Sequence, residues 1–270
     1  MIPNPAGRRR RSVVALVLTA AALAVVLAGI SPGSARAVGV YEDAVGEVDF
    51  LTAPQCASIT ARFVRTNGPD LDASLFILAG AVSVRPYLLV QVEQPYVSLS
   101  DPSDIIATFG DLRLRVRARL SGGGGRAVSA LGAFRTGSGS RRVYPYASQS
   151  MDYELALGYV DTVDVMELWA VAGGAFVTRA PEDLPDDEIH ESFARAMAGL
   201  TLPAATRLRV SAGADALYYA SGGVRVLLLG AIEYSRSRSL AFSLGFHAEA
   251  GPAKERVSDG AATASIAVFF

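Results

Sequence analysis

Gly110-Asp111-Leu112-Arg113-Leu114-Arg115-Val116-Arg117-Ala118-Arg119-Leu120 carries an apolar residue at every even position and, from 113 onward, an arginine at every odd one. That period of two is a strand with one apolar and one polar face, because successive side chains leave a pleated strand on opposite sides. A helix would scatter the four guanidiniums around its circumference. Four cations on one wall must face water or partners. Facing hydrocarbon would cost about 2–4 kcal/mol each near a bilayer midplane.

The same alternation fills the rest of the chain. In 239–249, Leu240, Phe242, Leu244 and Phe246 alternate with Ala241, Ser243, Gly245 and His247. In 224–234 the even positions form an apolar face, with Arg225 and Glu233 on the other. From Thr206, the even residues from Leu208 to Ala216 face away from Arg207, Arg209, Ser211, Gly213 and Asp215. Twelve such segments are read: 56–66, 72–84, 86–99, 110–120, 125–136, 151–160, 164–179, 189–201, 206–219, 223–235, 238–249 and 261–270. Most have 10 to 14 residues. A soluble strand averages about 5–6, whereas a tilted strand needs about 9–11 to cross a membrane. A soluble sandwich also alternates, so length carries this step.

The joints between segments point the same way. Arg85, Ser121–Gly124, Asp161–Val163, Leu202–Ala205 and Arg236–Ser237 are short, while most of 67–71, 100–109, 137–150, 180–188, 220–222 and 250–260 are long. Short turns on one side and long loops on the other, with an even strand number, form the pattern of an outer-membrane barrel. Tyr87, Tyr96, Tyr153, Tyr159, Tyr218 and Tyr234 fall near strand ends, where amphipathic rings favour a membrane interface. The expected fold is all-β, a transmembrane antiparallel β-barrel of about 12 strands over 56–270.

The start of the chain differs from the body. Arg8–Arg11 precede an apolar run from Val13 to Ile30, and Ala35-Arg36-Ala37 follows a Pro32-Gly33 helix breaker. These are the three parts of a secretory signal, with cleavage expected after Ala37. The alternative is an uncleaved anchor, since about 18 apolar residues can span a bilayer. Either way the body leaves the cytoplasm, with the outer membrane of a Gram-negative cell as its expected location. Residues 1–37 hold five of the 25 basic residues and no acids, so the remainder is mildly acidic. That balance excludes a nucleic-acid binder. A single cysteine, Cys56, excludes an internal disulfide framework or a cysteine-built zinc site.

Parity assigns an interior face. The lumenal candidates are Arg113, Arg115, Arg117, Arg119, Arg207, Arg209, Glu93, Asp152, Glu154, Glu167 and Asp215, with Arg62, Gln91, Arg135, Arg195, Arg225, Glu233, His247 and Glu249 on the same side. Two readings stand. The arginines form a ladder that draws anions through a narrow pore. Alternatively they pair with Glu93, Asp152, Glu154, Glu167 and Asp215 and hold the lumen closed, because buried charge must find partners. Residues 38–55, with Glu42, Asp43, Glu47 and Asp49, are read either as a short acidic plug facing those arginines or as a periplasmic lead.

No chemistry of catalysis emerges. His190 lies at the edge of an acidic loop, 181–191, which lacks the ordered spacing of an EF-hand. Gly245-Phe246-His247-Ala248-Glu249 offers no serine at the spacing of a nucleophile–base pair. The four glycines Gly122–Gly125 suit a tight turn, since no helix follows to cradle a phosphate. The reading is therefore not an enzyme, with no catalytic residues, no metal site and no cofactor.

Phe109–Leu120 resembles the Gly-Asp-Leu strand of the outer-membrane transporter family associated with meta-pathway phenol degradation. Ser83–Val97, ending in Pro95-Tyr96-Val97, is similar to the hairpin that precedes it there, and Ile232–Leu240 to a later short-turn hairpin. The chain end, Ser265–Phe270, resembles the terminal aromatic signal read by the barrel-assembly machinery. The resemblance implies an outer-membrane channel for a small solute of undefined identity. Its expected partners are outer-membrane lipids, the assembly machinery through Phe270, and that solute. The alternatives are a closed barrel with a structural or surface-interaction role and a soluble secreted β-protein.

Overall fold

The computed structural model describes residues 44–54, 56–67, 72–100, 105–143, 151–177, 192–220, 223–250 and 260–270. The expected signal, residues 1–37, and the acidic loop with His190 lie outside the described residues.

One short helix precedes an antiparallel sheet. The helix α1 spans Ala44–Thr52. The strands are β1 (Ser58–Asn67), β2 (Asp72–Arg85), β3 (Leu88–Ser100), β4 (Ile105–Phe109), β5 (Arg113–Gly123), β6 (Arg126–Arg135) and β7 (Asp152–Val163). They continue with β8 (Met166–Val177), β9 (Phe193–Ala205), β10 (Leu208–Tyr219), β11 (Val224–Ser237), β12 (Leu240–Ala250) and β13 (Gly260–Phe269). Sequence neighbours pair throughout except β4 with β5, and β1 pairs with both β2 and β13, which closes the sheet on itself. Because β4 and β5 both pair with β3, one beyond the other, they are two lengths of one wall strand. The result is a closed, antiparallel barrel of twelve strands, as the alternation predicts.

The five short joints are each a two-residue turn: 86–87, 124–125, 164–165, 206–207 and 238–239. At 124–125 both residues are glycines with positive φ (61° and 85°), the conformation that a tight hairpin turn of this hand requires. The glycine run is thus a turn, but β5 extends through Gly123, beyond the expected end at 120. Likewise β9 runs on to Ala205 through residues read as a turn.

The largest departure is the interval 100–109, read as a loop. Its second half, Ile105–Phe109, is strand and pairs with Tyr96–Ser100. Between the pairs Tyr96–Phe109 and Glu93–Arg113, β3 advances three residues while the facing strand advances four. The extra residue is a β-bulge centred on Gly110-Asp111-Leu112, and it faces Pro95. Proline has no N–H to give the ladder, so pairing is weakest there. Gly110 donates its N–H to the Pro95 carbonyl (3.0 Å), and the Gln94 side chain supplies the donor that proline lacks, reaching the Gly110 carbonyl at 3.0 Å. Asp111, pinched inward by the bulge and buried, accepts the Gly139 N–H at 2.7 Å.

Outward faces carry exposed Phe63, Phe76, Leu155, Leu157, Leu244 and Phe246. Tyr87, Tyr96, Tyr153 and Tyr234 are exposed near strand ends, while Tyr159 and Tyr218 are half-buried. The interior is not uniformly polar. Val48 and Leu51 of α1 pack with Trp169, Val171, Met197, Leu217 and Leu227 on the inner wall of β8–β11. On the wall of β1–β3, near the long-loop end, Val143 inserts among Val64, Leu75, Ile77, Val97 and Leu99.

Candidate functional site: the barrel lumen

The β5 arginines are spaced two residues apart, about 6.6–6.8 Å along a strand. A helix climbs a similar distance in four residues at about 1.5 Å each. The two pitches match, and α1 lies against the ladder. Arg113 Nη2 donates to Glu47 Oε1 at 2.9 Å, and Arg115 Nη2 donates to Glu47 Oε2 at 2.5 Å. One carboxylate therefore bridges two rungs. Arg195 of β9 approaches the same carboxylate from a third side, at 4.0 Å. Burial alone would push the Glu47 carboxyl up, but the guanidiniums of Arg115, Arg113 and Arg195 outweigh it and hold it well below the usual carboxylate range.

The next rung does different work. Arg117 donates to the backbone carbonyls of Phe50 (2.8 Å), Leu51 and Ala53 (2.6 Å). The last carbonyls of a helix have no partner within it and carry the negative end of its dipole. A guanidinium from the barrel wall satisfies both needs, so Arg117 caps α1 from outside the helix. Between these contacts, the Arg115 guanidinium lies 4.0 Å over the Phe50 ring.

The remaining charges pair across the wall. Arg113 also meets Glu154 at 2.5 Å and Glu93 at 3.8 Å, and Arg115 meets Glu93 at 3.3 Å. Arg195 meets Asp215 at 2.9 Å, Arg209 meets Glu167 at 3.1 Å, and Arg135 meets Asp152 at 3.7 Å. All five acids named from parity therefore face an arginine. Arg225 pairs with Glu249 at 2.8 Å and donates to the Tyr219 hydroxyl at 3.3 Å.

Two positions depart from the expected wall. Arg119 is exposed, because β5 is irregular between Arg119 and Ser121 and the side chain turns toward the mouth, with Nη2 at 3.4 Å from the Arg126 carbonyl. Arg207 is exposed in a two-residue turn, because β10 begins at Leu208 rather than at 206. The ladder thus has three buried rungs and one at the mouth.

Small residues shape the space around the helix and the lone tryptophan. A Cβ at Gly158 would collide with the Leu51 side chain, and the Trp169 ring covers both Gly199 and Gly213. α1 also contacts β11 and β12. Beside its C-terminal end a cavity of about 640 Å³ opens at the short-turn end of the barrel, bounded by Asp49, Phe50, Thr52, Ala53 and Pro54 of the leading segment and by the inner faces of β1–β3 and β10–β13. Its wall mixes hydroxyls, from Ser58, Thr60, Ser235, Ser243 and Ser265, with apolar groups such as Ala79, Leu89, Ala241 and Phe242. Ser243 and Ser265 are hydrogen-bonded across strands at 2.7 Å. Arg207 and Arg238, from two of the short turns, and Arg236, near the end of β11, stand at its rim. The alternation places the joint at Arg236–Ser237 and starts a strand at Arg238, whereas the turn is 238–239, and nothing in it marks these arginines as lining a cavity.

No family model and no curated protein sequence matches the chain. Solved structures do. An outer-membrane channel from Pseudomonas putida F1 superposes with a TM-score of 0.67 at 11% identity, over 81% of this chain and 97% of that one. The NanC porin gives 0.58 at 8% identity, over 79% and 99%. The translocator domain of the autotransporter NalP from Neisseria meningitidis gives 0.57 at 12% identity, over 84% and 95%. At such identities the likeness is one of fold, and the fold is the twelve-stranded, closed barrel of outer-membrane proteins.

Proposed function

We propose that this chain is an outer-membrane channel for a small polar solute, whose route passes through the cavity between the C-terminal end of α1 and the inner faces of β1–β3 and β10–β13. The observation that carries this reading is the cavity of about 640 Å³ that remains at the short-turn end of the lumen beside the arginine-anchored helix. In this reading Arg113, Arg115 and Arg117 are the scaffold that holds α1 aside, not a track for solute, since their donors are already engaged. The short-turn mouth faces the periplasm, the 1–37 segment exports the chain, and Phe270, exposed just past β13, belongs to the segment read by the assembly machinery. The resemblance of Phe109–Leu120 to an outer-membrane transporter family supports the same role.

A second reading, the closed structural barrel, is favoured by the apolar packing of Trp169, Val171, Leu217 and Leu227 against Val48 and Leu51. Conductance separates the two. Full-length protein extracted from outer membranes is incorporated into planar bilayers beside an Arg113→Ser/Arg115→Ser/Arg117→Ser variant. Discrete, salt-dependent steps that grow larger in the variant are expected. A heat-modifiable barrel silent in both forms would exclude the channel and favour the structural role.

A further inference from the structure

We infer that the cavity at the short-turn mouth is a binding site for a small hydroxylated carboxylate, a molecule of sugar-acid or hydroxy-acid type, and this rests on the channel reading for its purpose but not for its test. The site is built from two kinds of group. Arg207, Arg236 and Arg238 line it from the turns 206–207 and 238–239 and from the end of β11, and none of the three has an acidic partner among the described residues. That sets them apart from Arg113, Arg115, Arg195 and Arg209, each of which is bound to a carboxylate of the chain itself. A guanidinium left open at the edge of a low-dielectric cavity is a fork for a carboxylate, which it can take with two parallel hydrogen bonds.

The balance of charge points the same way. Five arginines line the cavity, at 62, 207, 209, 236 and 238, against two acids, Asp49 and Glu233. Glu233 is already an acceptor for the Ser235 hydroxyl at 3.2 Å. Deeper in, the wall interleaves the hydroxyls of Ser58, Thr60, Ser243 and Ser265 with Ala79, Ala81, Leu89, Ala241 and Ala267. Hydroxyls can both donate and accept, so a polyhydroxylated acid can exchange hydrogen bonds with them while its carbon frame meets the apolar groups between. The cavity volume falls within the roughly 300–1,000 Å³ of small-molecule sites. Specificity then comes from the turns at the mouth, and the ladder of β5 has no part in it.

Gluconate, glucose and glucosamine test this, being similar in size and each carrying several hydroxyls but anionic, neutral and cationic. Binding of each to detergent-solubilised, full-length protein is measured by titration calorimetry at low ionic strength. The wild type is compared with an Arg207→Gln/Arg236→Gln/Arg238→Gln variant, whose exposed substitutions leave the strand ladder intact and whose folding is checked by heat modifiability. Gluconate binding, at least tenfold weaker in the folded variant and absent for glucosamine, is the expected result. Equal uptake of gluconate and glucosamine, or gluconate binding untouched by the three substitutions, would overturn the site. A barrel that conducts in bilayers but binds no gluconate also overturns the site, and leaves the channel standing. Gluconate binding by a barrel that never conducts sustains the site and removes the channel.

Discussion

Arg115 and Glu47 meet inside the barrel at 2.5 Å, with the Phe50 ring 4.0 Å from the same guanidinium. A residue of the wall and one of the leading helix are thereby fixed in two ways, by charge and by stacking. Both side chains are almost wholly removed from solvent, so the pair must be complete to be tolerated.

Replacing Glu47 by Gln keeps the shape and removes the charge. Arg113 retains Glu154 and Arg115 retains Glu93, so the wall keeps its own pairs. The loss therefore falls on docking of α1. Breaking a buried pair by removing one partner costs roughly 3–5 kcal/mol. Opening of α1 is expected to become roughly a hundredfold to several thousandfold more frequent, read as faster protease cleavage within 44–54 of the folded barrel. The heat-modifiable band should not change. Unaltered cleavage would mean that Glu47 does not anchor the helix.

The pH dependence has a defined sign. The Glu47 carboxyl is held below its ordinary value of 4.5, so its contribution to docking is fully present above that value and is lost as pH falls through the lowered one. Protection of α1 should be flat from about pH 5 to 8 and should decline only on further acidification. Glu47→Gln should remove this acid limb. A loss of protection between pH 6 and 8 would place the controlling group elsewhere.

Which of these features the sequence carries follows from what alternation can encode. Period two separates the faces of a strand, and it placed Glu93, Arg113, Arg115, Arg117, Asp152 and Asp215 on the inner one. Where a strand starts is a weaker signal, so Arg207 and Arg119 proved to lie at the mouth. The bulge was visible in pieces, as Pro95 and Gly110, but their being opposite each other depends on register, which no single strand shows. The same limit hid Ile105–Phe109. Where Trp169, Val171, Leu217 and Leu227 lie inside, the inner face is locally as apolar as the outer one, and a pattern without contrast does not announce its interior. Glu47 was seen as one of four acids; that it bridges Arg113 and Arg115 is a property of the closed barrel.

Arg117 should matter to α1 in a way that its neighbours do not. It has no carboxylate contact among those described, and its donors go to the carbonyls of Phe50, Leu51 and Ala53. Arg117→Met keeps much of the stem and leaves those carbonyls without a donor. Each buried, unsatisfied group costs about 1–3 kcal/mol. The last turn of α1 should fray, with faster hydrogen exchange at 50–53, while exchange in β5 and its neighbours stays slow. Equal loss across the barrel would show that Arg117 supports the wall instead.

The contact between Leu51 and Gly158 offers the cleanest separation of docking from barrel stability. A methyl group at Gly158 would overlap the Leu51 side chain, which sits in the notch left by the missing Cβ. Gly158→Ala should therefore weaken α1 docking by about 1–3 kcal/mol through overpacking. Shortening the helix side chain relieves the clash, so adding Leu51→Ala should return part of that loss even though Leu51→Ala alone also weakens docking. The two effects are non-additive only if the residues touch, which makes the double-mutant cycle a direct test of where the helix lies. Purely additive losses in protease protection of 44–54 would mean that Leu51 does not occupy the Gly158 notch, and with it would go the placement of α1 along β5.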